Sequence, residues 1–160
     1  MTLARRHGAA RVQSACLCDL IDEDCDGRDG DAHSSHNDSV LSIAFRPAGP
    51  GSRNPGLALQ LATTGEDARA KVWDCENGAL LHSLVHRPGT LLSCDWSPDG
   101  LTLATGHADG TVTLWDATEG VARREYSAAA GVFHVCWNAD GARLAVSTKR
   151  GTVIVLDTRR

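Results

Sequence analysis

Asp22-Glu-Asp-Cys-Asp-Gly27 sets carboxylates at alternate positions ahead of a glycine, which is the opening half of a loop that wraps calcium in oxygen ligands. The twelfth position, where such a loop needs a bidentate glutamate, is His33, and neither flank reads as a helix. A solvated acidic loop is therefore expected rather than a metal site. Cys16, Cys18, Cys25, His33 and His36 carry the ligand types of a zinc centre, but their spacing is not that of a finger, and a Cys-x-Cys pair on one strand turns both thiols to one face. Half-buried thiols without metal are the expectation. Serines, histidines and aspartates occur, yet no nucleophile sits in the strand-turn-helix setting that would activate it. The chain is accordingly read as a non-enzyme, with no cofactor and no small-molecule substrate.

The elements that position these residues must come from a chain of 160 residues, 42% hydrophobic and 22% charged, which suits one ordinary globular core. The net charge of −4 divides unevenly. Residues 1–35 hold four arginines against seven acids, and residues 36–160 hold twelve basic against thirteen acidic side chains. A nearly neutral body does not suit direct binding of a phosphate backbone. Arg123-Arg124 and Arg159-Arg160 read as solvated strand edges. Six dispersed cysteines with no secretory signal suit a reducing compartment, and no apolar run reaches the roughly 20 residues of a membrane helix. Met1–Gln13 carries three arginines and no acid but lacks the serines and apolar stripe of a transit peptide, so an unstructured terminus is expected.

Order in the remainder shows as a period. Lys71-Val-Trp-Asp74, Thr113-Leu-Trp-Asp116 and Ile154-Val-Leu-Asp157 lie 42 and 41 residues apart. Phe45, Trp96 and Trp137 repeat at 51 and 41, the longer interval containing the turn-rich Pro47-Ala-Gly-Pro-Gly-Ser-Arg-Asn-Pro55, read as a surface-loop insertion. Alternating patterns predict inner strands at Val40–Phe45, Leu91–Trp96 and Val132–Trp137. The dipeptides Asp99-Gly100 and Asp140-Gly141 then permit tight hairpins into second strands at 101–105 and 142–147. Third strands are expected at 111–115 and 152–156, and fourth strands at 79–85 and 121–126. His134, alternating with Val135, reads as a residue against a channel or a neighbouring sheet.

Trp73-Asp74, Trp115-Asp116 and the Ser97-Pro-Asp-Gly100 turn, at this period, resemble the WD40 repeats. The resemblance implies an all-β fold: a partial propeller of three four-stranded antiparallel blades, the last lacking its outer strand, as a fragment of a seven- or eight-bladed ring. Repeats are expected at about 36–78, 79–120 and 121–160. Residues 1–35 form a poorly ordered segment in this reading, with an outer strand near 12–20 and the acidic insert at 21–35. In that family a buried network links a histidine before the first strand, a Ser or Thr in the second, an Asp in the following turn and the Trp of the third. His36, Thr63, Asp67 and Trp73 match it. The second repeat keeps Thr105, Asp109 and Trp115, with His86 one residue out of register. The third offers Ala128, Val146, Arg150 and Leu156, which cannot form the network, so it is expected to be the loosest blade.

A closer resemblance, over about residues 12–160, is to the carboxyl-terminal blades of transducin-β-like proteins. Its marks are the Pro47–Pro55 insertion, Val132-Phe-His-Val-Cys-Trp-Asn138 and the ending Val153-Ile-Val-Leu-Asp-Thr-Arg-Arg160. It implies a nuclear scaffold that docks corepressor or histone-deacetylase subunits and histone tails, with protein partners only and no direct nucleic acid or membrane. Asn37, Asp38, Glu66, Arg87, His107 and Lys149 are the expected contacts, in loops at one end of the blades. The alternatives are a cytoplasmic adaptor, such as a ubiquitin-ligase substrate receptor or signalling scaffold, and a truncated propeller without function, since three blades cannot close a ring.

Overall fold

The computed structural model describes residues 35–49, 52–85 and 87–159. The expected strand near 12–20, the candidate calcium loop, the set Cys16, Cys18, Cys25 and His33, and His86 lie outside them. Eleven strands and no helix are assigned among the described residues. β1 (Val40–Phe45), β2 (Gln60–Gly65), β3 (Ala70–Asp74) and β4 (Leu80–Leu84) form the first antiparallel sheet in that order. β5 (Leu91–Trp96), β6 (Thr102–His107), β7 (Thr111–Asp116) and β8 (Val121–Ser127) form the second. β9 (Val132–Trp137), β10 (Arg143–Thr148) and β11 (Val153–Asp157) form the third, a three-stranded sheet among the described residues.

The turns obey the chemistry of their residues. Gly100 and Gly141 adopt φ of 68° and 74°, in the left-handed region that glycine enters without steric cost, and each amide donates back across its turn, to Ser97 O at 2.8 Å and Asn138 O at 3.1 Å. The second, third and fourth strands begin or end one or two residues from the sequence expectation, which is ordinary for strand ends, but at β6 the shift matters. It extends to His107 and turns an expected loop residue into a strand residue.

The sheets pack face against face. Val72 and Ala62 of the first meet Cys94, Trp96, Leu103 and Trp115 of the second in one apolar cluster. Ala104, Val112 and Leu114 of the second meet Val132, Val135, Leu144 and Val146 of the third in another. A fully buried Leu or Val side chain contributes about 1.5–3 kcal/mol, so these seams hold the stack together. Hydrogen bonds cross both seams at matching places. The Cys94 amide donates to Ser42 Oγ at 3.3 Å, and the Val135 amide to Ser93 Oγ at 3.2 Å. The Trp96 indole donates to Ala44 O at 3.0 Å, and the Trp137 amide to Asp95 Oδ2 at 2.7 Å.

The Pro47–Pro55 insertion is anchored rather than free. Asn54 Nδ2 donates to Pro98 O at 3.0 Å in the second sheet's first turn. Buried Arg46, just ahead of the insertion, donates through Nε to Gly100 O at 2.7 Å and lies 5.6 Å over the Trp96 ring. Desolvation pulls its guanidinium pKa down, opposed by Asp99.

Candidate functional site

The polar network of the first sheet assembles around Thr63. His36 Nδ1 lies 2.9 Å from both Asp67 carboxylate oxygens, and its Nε2 is 2.7 Å from Thr63 Oγ1. The Trp73 indole donates to the same hydroxyl at 2.9 Å. An ionised carboxylate only accepts, so Nδ1 carries a proton. Burial pushes the Asp67 carboxyl up, but hydrogen bonds from His36 and from the Asn37 and Arg69 amides outweigh it and hold it below its ordinary 3.8.

A depressed carboxylate stabilises the fold above its unfolded pKa and loses that contribution as pH falls through the folded value. Wild-type protein is thus expected to lose melting temperature steeply once the pH drops below about 4. Asp67→Asn should start lower at neutral pH and fall less over that range. Thermal unfolding followed by circular dichroism at successive pH values checks this, and parallel curves for the two proteins would contradict it.

In the second sheet the Trp115 indole donates to Thr105 Oγ1 at 2.9 Å, as its counterpart does in the first. The imidazole comes from an unexpected place. His107 is 2% exposed, with Nε2 3.2 Å from Thr105 Oγ1 and 3.3 Å from Thr113 Oγ1. This corrects its assignment to a docking loop: the ring is built into the sheet. Thr63 aligns with Thr105, so His107 occupies the place of Gly65, where an added Cβ would stand 3.3 Å from His36 Nδ1. The two sheets therefore put an imidazole beside the same threonine, one reaching in from before β1 over a glycine and the other issuing from that glycine's own position. The signal was present in Thr63-Thr-Gly65 against Thr105-Gly-His107, which a search confined to the residue before the first strand passes over. Asp109 follows two residues later, near enough to His107 for their charges to interact. It is exposed and caps its turn, accepting from the Thr111 amide at 2.8 Å.

The third sheet holds no such group. Val146 is buried, Leu156 half-buried and Ala128 buried, and with Tyr126 and Ile154 they line a small cleft where the larger network residues would sit. The Tyr126 hydroxyl is buried there, and the Trp137 indole is buried on β9, each without a hydrogen-bond partner among the described residues.

Asn37, Asp38, Glu66, Arg87 and Lys149 are all exposed. They lie before β1 and in the β2–β3, β4–β5 and β10–β11 connections, which antiparallel order brings to one end of the sheets. Arg87 pairs with Glu125 at 3.0 Å, and the Lys149 ammonium lies 5.8 Å over the Phe133 ring. At the opposite end Arg123 is held by Asp116 at 3.0 Å and Glu119 at 2.7 Å. His134 is exposed on β9. Buried Cys94 has its thiol pKa pushed up to about 11 by desolvation, opposed by hydrogen bonds with Ser42 and Thr64. Among the described residues no group of three His, Cys, Asp or Glu side chains could hold a metal ion.

The WD domain, G-beta repeat family matches residues 31–74 and 78–116, which takes in the first two tryptophan-bearing repeats and stops short of the third. The mouse F-box-like/WD repeat-containing protein TBL1X is 33% identical over 107 residues, covering 67% of this chain and 20% of that protein. The WD40 repeat-containing protein HOS15 of Arabidopsis thaliana is 35% identical over 111 residues, covering 69% of this chain and 18% of its own length. Eukaryotic translation initiation factor 3 subunit I of Aspergillus fumigatus is 36% identical over 129 residues, covering 78% of this chain and 35% of that protein. The chain thus matches about a fifth of the first two relatives. With three stacked antiparallel sheets, a matching family and a Trp–Thr pair repeated in two of them, the chain belongs to the WD40 repeat family, whose domains mediate protein–protein interaction.

Proposed function

We propose that this chain is a non-enzymatic scaffold of a nuclear corepressor or histone-deacetylase complex. The observation that carries the reading is the transducin-β-like character of the Pro47–Pro55 insertion and of Val132–Asn138, together with the similarity to mouse TBL1X and to HOS15. Stiff sheets hold Asn37, Asp38, Glu66, Arg87 and Lys149 in place before a partner arrives, which lowers the ordering cost of binding. These residues mix both signs of charge, as suits a polar peptide segment such as a histone tail. Arg87 and Lys149 are the strongest candidates, each being held by a neighbour while remaining exposed.

The test is affinity purification of the full chain from nuclear extract with quantitative mass spectrometry. Deacetylase and corepressor subunits are expected in the eluate, and Arg87→Glu with Lys149→Glu should reduce their recovery by about tenfold or more. An eluate without those subunits overturns the reading. The 36% identity to initiation factor 3 subunit I favours a second reading, a cytoplasmic assembly subunit, which recovery of initiation-factor subunits instead would select.

A further inference from the structure

Each inner strand carries one residue more than its partner strand at the same place. The register of β1 with β2 skips Leu41, that of β5 with β6 skips Leu92, and that of β9 with β10 skips Phe133. A bulge of this kind re-aims its unpaired side chain out of the ladder. Leu41 is 40% exposed, Leu92 half-buried and Phe133 56% exposed, all at the end of the sheets where Arg87 and Lys149 stand. The second sheet is packed on both sides, yet Leu92, Ala108 and Asp109, the counterparts of Phe133, Lys149 and Arg150, keep contact with solvent there. These positions therefore open towards the loop end of the sheets and not towards a lateral neighbour.

At that end the charges are sorted by sheet. Asp38 and Glu66 stand exposed on the first. On the second, Arg87 bonds Glu125 at 3.0 Å and lies near Asp109. The third carries Lys149 and Arg150 side by side, exposed and with no carboxylate partner among the described residues. Lys149 is also held in one pose. Its amide donates to Gly131 O at 2.7 Å, and its stem crosses Gly131, where a Cβ would come within 2.8 Å of Lys149 Cδ. The ammonium is thereby laid over the Phe133 ring at 5.8 Å, so a point charge and an apolar surface are presented together.

On the reading that this end of the sheets docks a protein partner, we infer that Phe133, Lys149 and Arg150 take an acidic segment of that partner, one in which an Asp or Glu stands next to a large apolar residue. The carboxylate pairs with the Lys149 ammonium, a second acid with the Arg150 guanidinium, and the apolar side chain covers Phe133. A lysine-rich segment would set like charges against two cations that no described acid neutralises. It would find its complement on the first sheet instead, at Asp38 and Glu66.

Selection from a random peptide library displayed on phage, with the full chain as bait, tests this without choosing the ligand beforehand. The recovered sequences are expected to place Asp or Glu beside Leu, Ile, Met or Phe. A fluorescein-labelled peptide of that consensus should then bind the wild type in anisotropy titrations, and more weakly as salt rises. Lys149→Glu and Phe133→Ala should each weaken it about tenfold or more. Arg53→Glu makes the same charge change on an exposed side chain at the opposite end and should leave the affinity within about twofold. All three substituted side chains are exposed, so circular dichroism should show an unchanged fold. A basic consensus, no enrichment, binding that survives Lys149→Glu or Phe133→Ala, or an equal loss in Arg53→Glu overturns the inference. Acidic peptides that bind here while deacetylase and corepressor subunits are missing from the eluate would sink the scaffold assignment alone. Recovery of those subunits with a failed selection would sink the acidic segment alone.

Discussion

Trp115→Ala is expected to lower the unfolding free energy by about 3–5 kcal/mol, a large part of the stability of an ordinary domain. The ring is buried in the cluster that joins the first sheet to the second, beside Val72, Trp96 and Leu103. Removing it opens a cavity at a seam, where two sheets rather than one lose their packing partner. It also takes away the indole that donates to Thr105 Oγ1 at 2.9 Å. Trp115→Phe keeps much of the volume and should cost markedly less, the lost hydrogen bond contributing about 1 kcal/mol. Urea unfolding followed by far-ultraviolet circular dichroism measures both. A loss below about 1 kcal/mol for the alanine variant would show that the seam is not held through this side chain.

His107→Ala should cost about 2–4 kcal/mol, although a histidine next to a turn would ordinarily be thought replaceable. The imidazole bridges the hydroxyls of Thr105 and Thr113, both fully buried, and truncation leaves a void with those hydroxyls short of a partner. Asp109→Ala, two residues on and exposed, is the control and should cost about 1 kcal/mol or less. The comparison separates two roles for His107. A docking residue would lose partner binding at unchanged stability, whereas a built-in one loses stability first. Equal melting curves for wild type and His107→Ala would return the residue to the surface.

The strand order and the inner strands were legible in the sequence because two independent signals, alternation within a strand and recurrence between strands, agree at Val40–Phe45, Leu91–Trp96 and Val132–Trp137. The Trp–Thr pairs were legible for the same reason, since a tryptophan ten residues after a threonine across a hairpin recurs at Thr63 and Trp73 and at Thr105 and Trp115. The second imidazole was not. Sequence comparison aligns positions, while the buried threonine requires only that a ring nitrogen arrive, and the chain delivers it from either side of the hairpin. The anchoring of the Pro47–Pro55 insertion was equally hidden, because a Pro- and Gly-rich stretch looks the same whether it waves in solvent or donates through Asn54 to Pro98 O.

The repeats expected at 36–78 and 79–120 divide the chain inside a sheet, since β4 at Leu80–Leu84 belongs with β1, β2 and β3. An expression fragment ended at residue 78 would strip the outer edge from β3 and give an orphan strand to its neighbour. Cuts for isolating single units belong instead between Leu84 and Leu91 and between Ser127 and Val132, where the polypeptide passes from one ladder to the next.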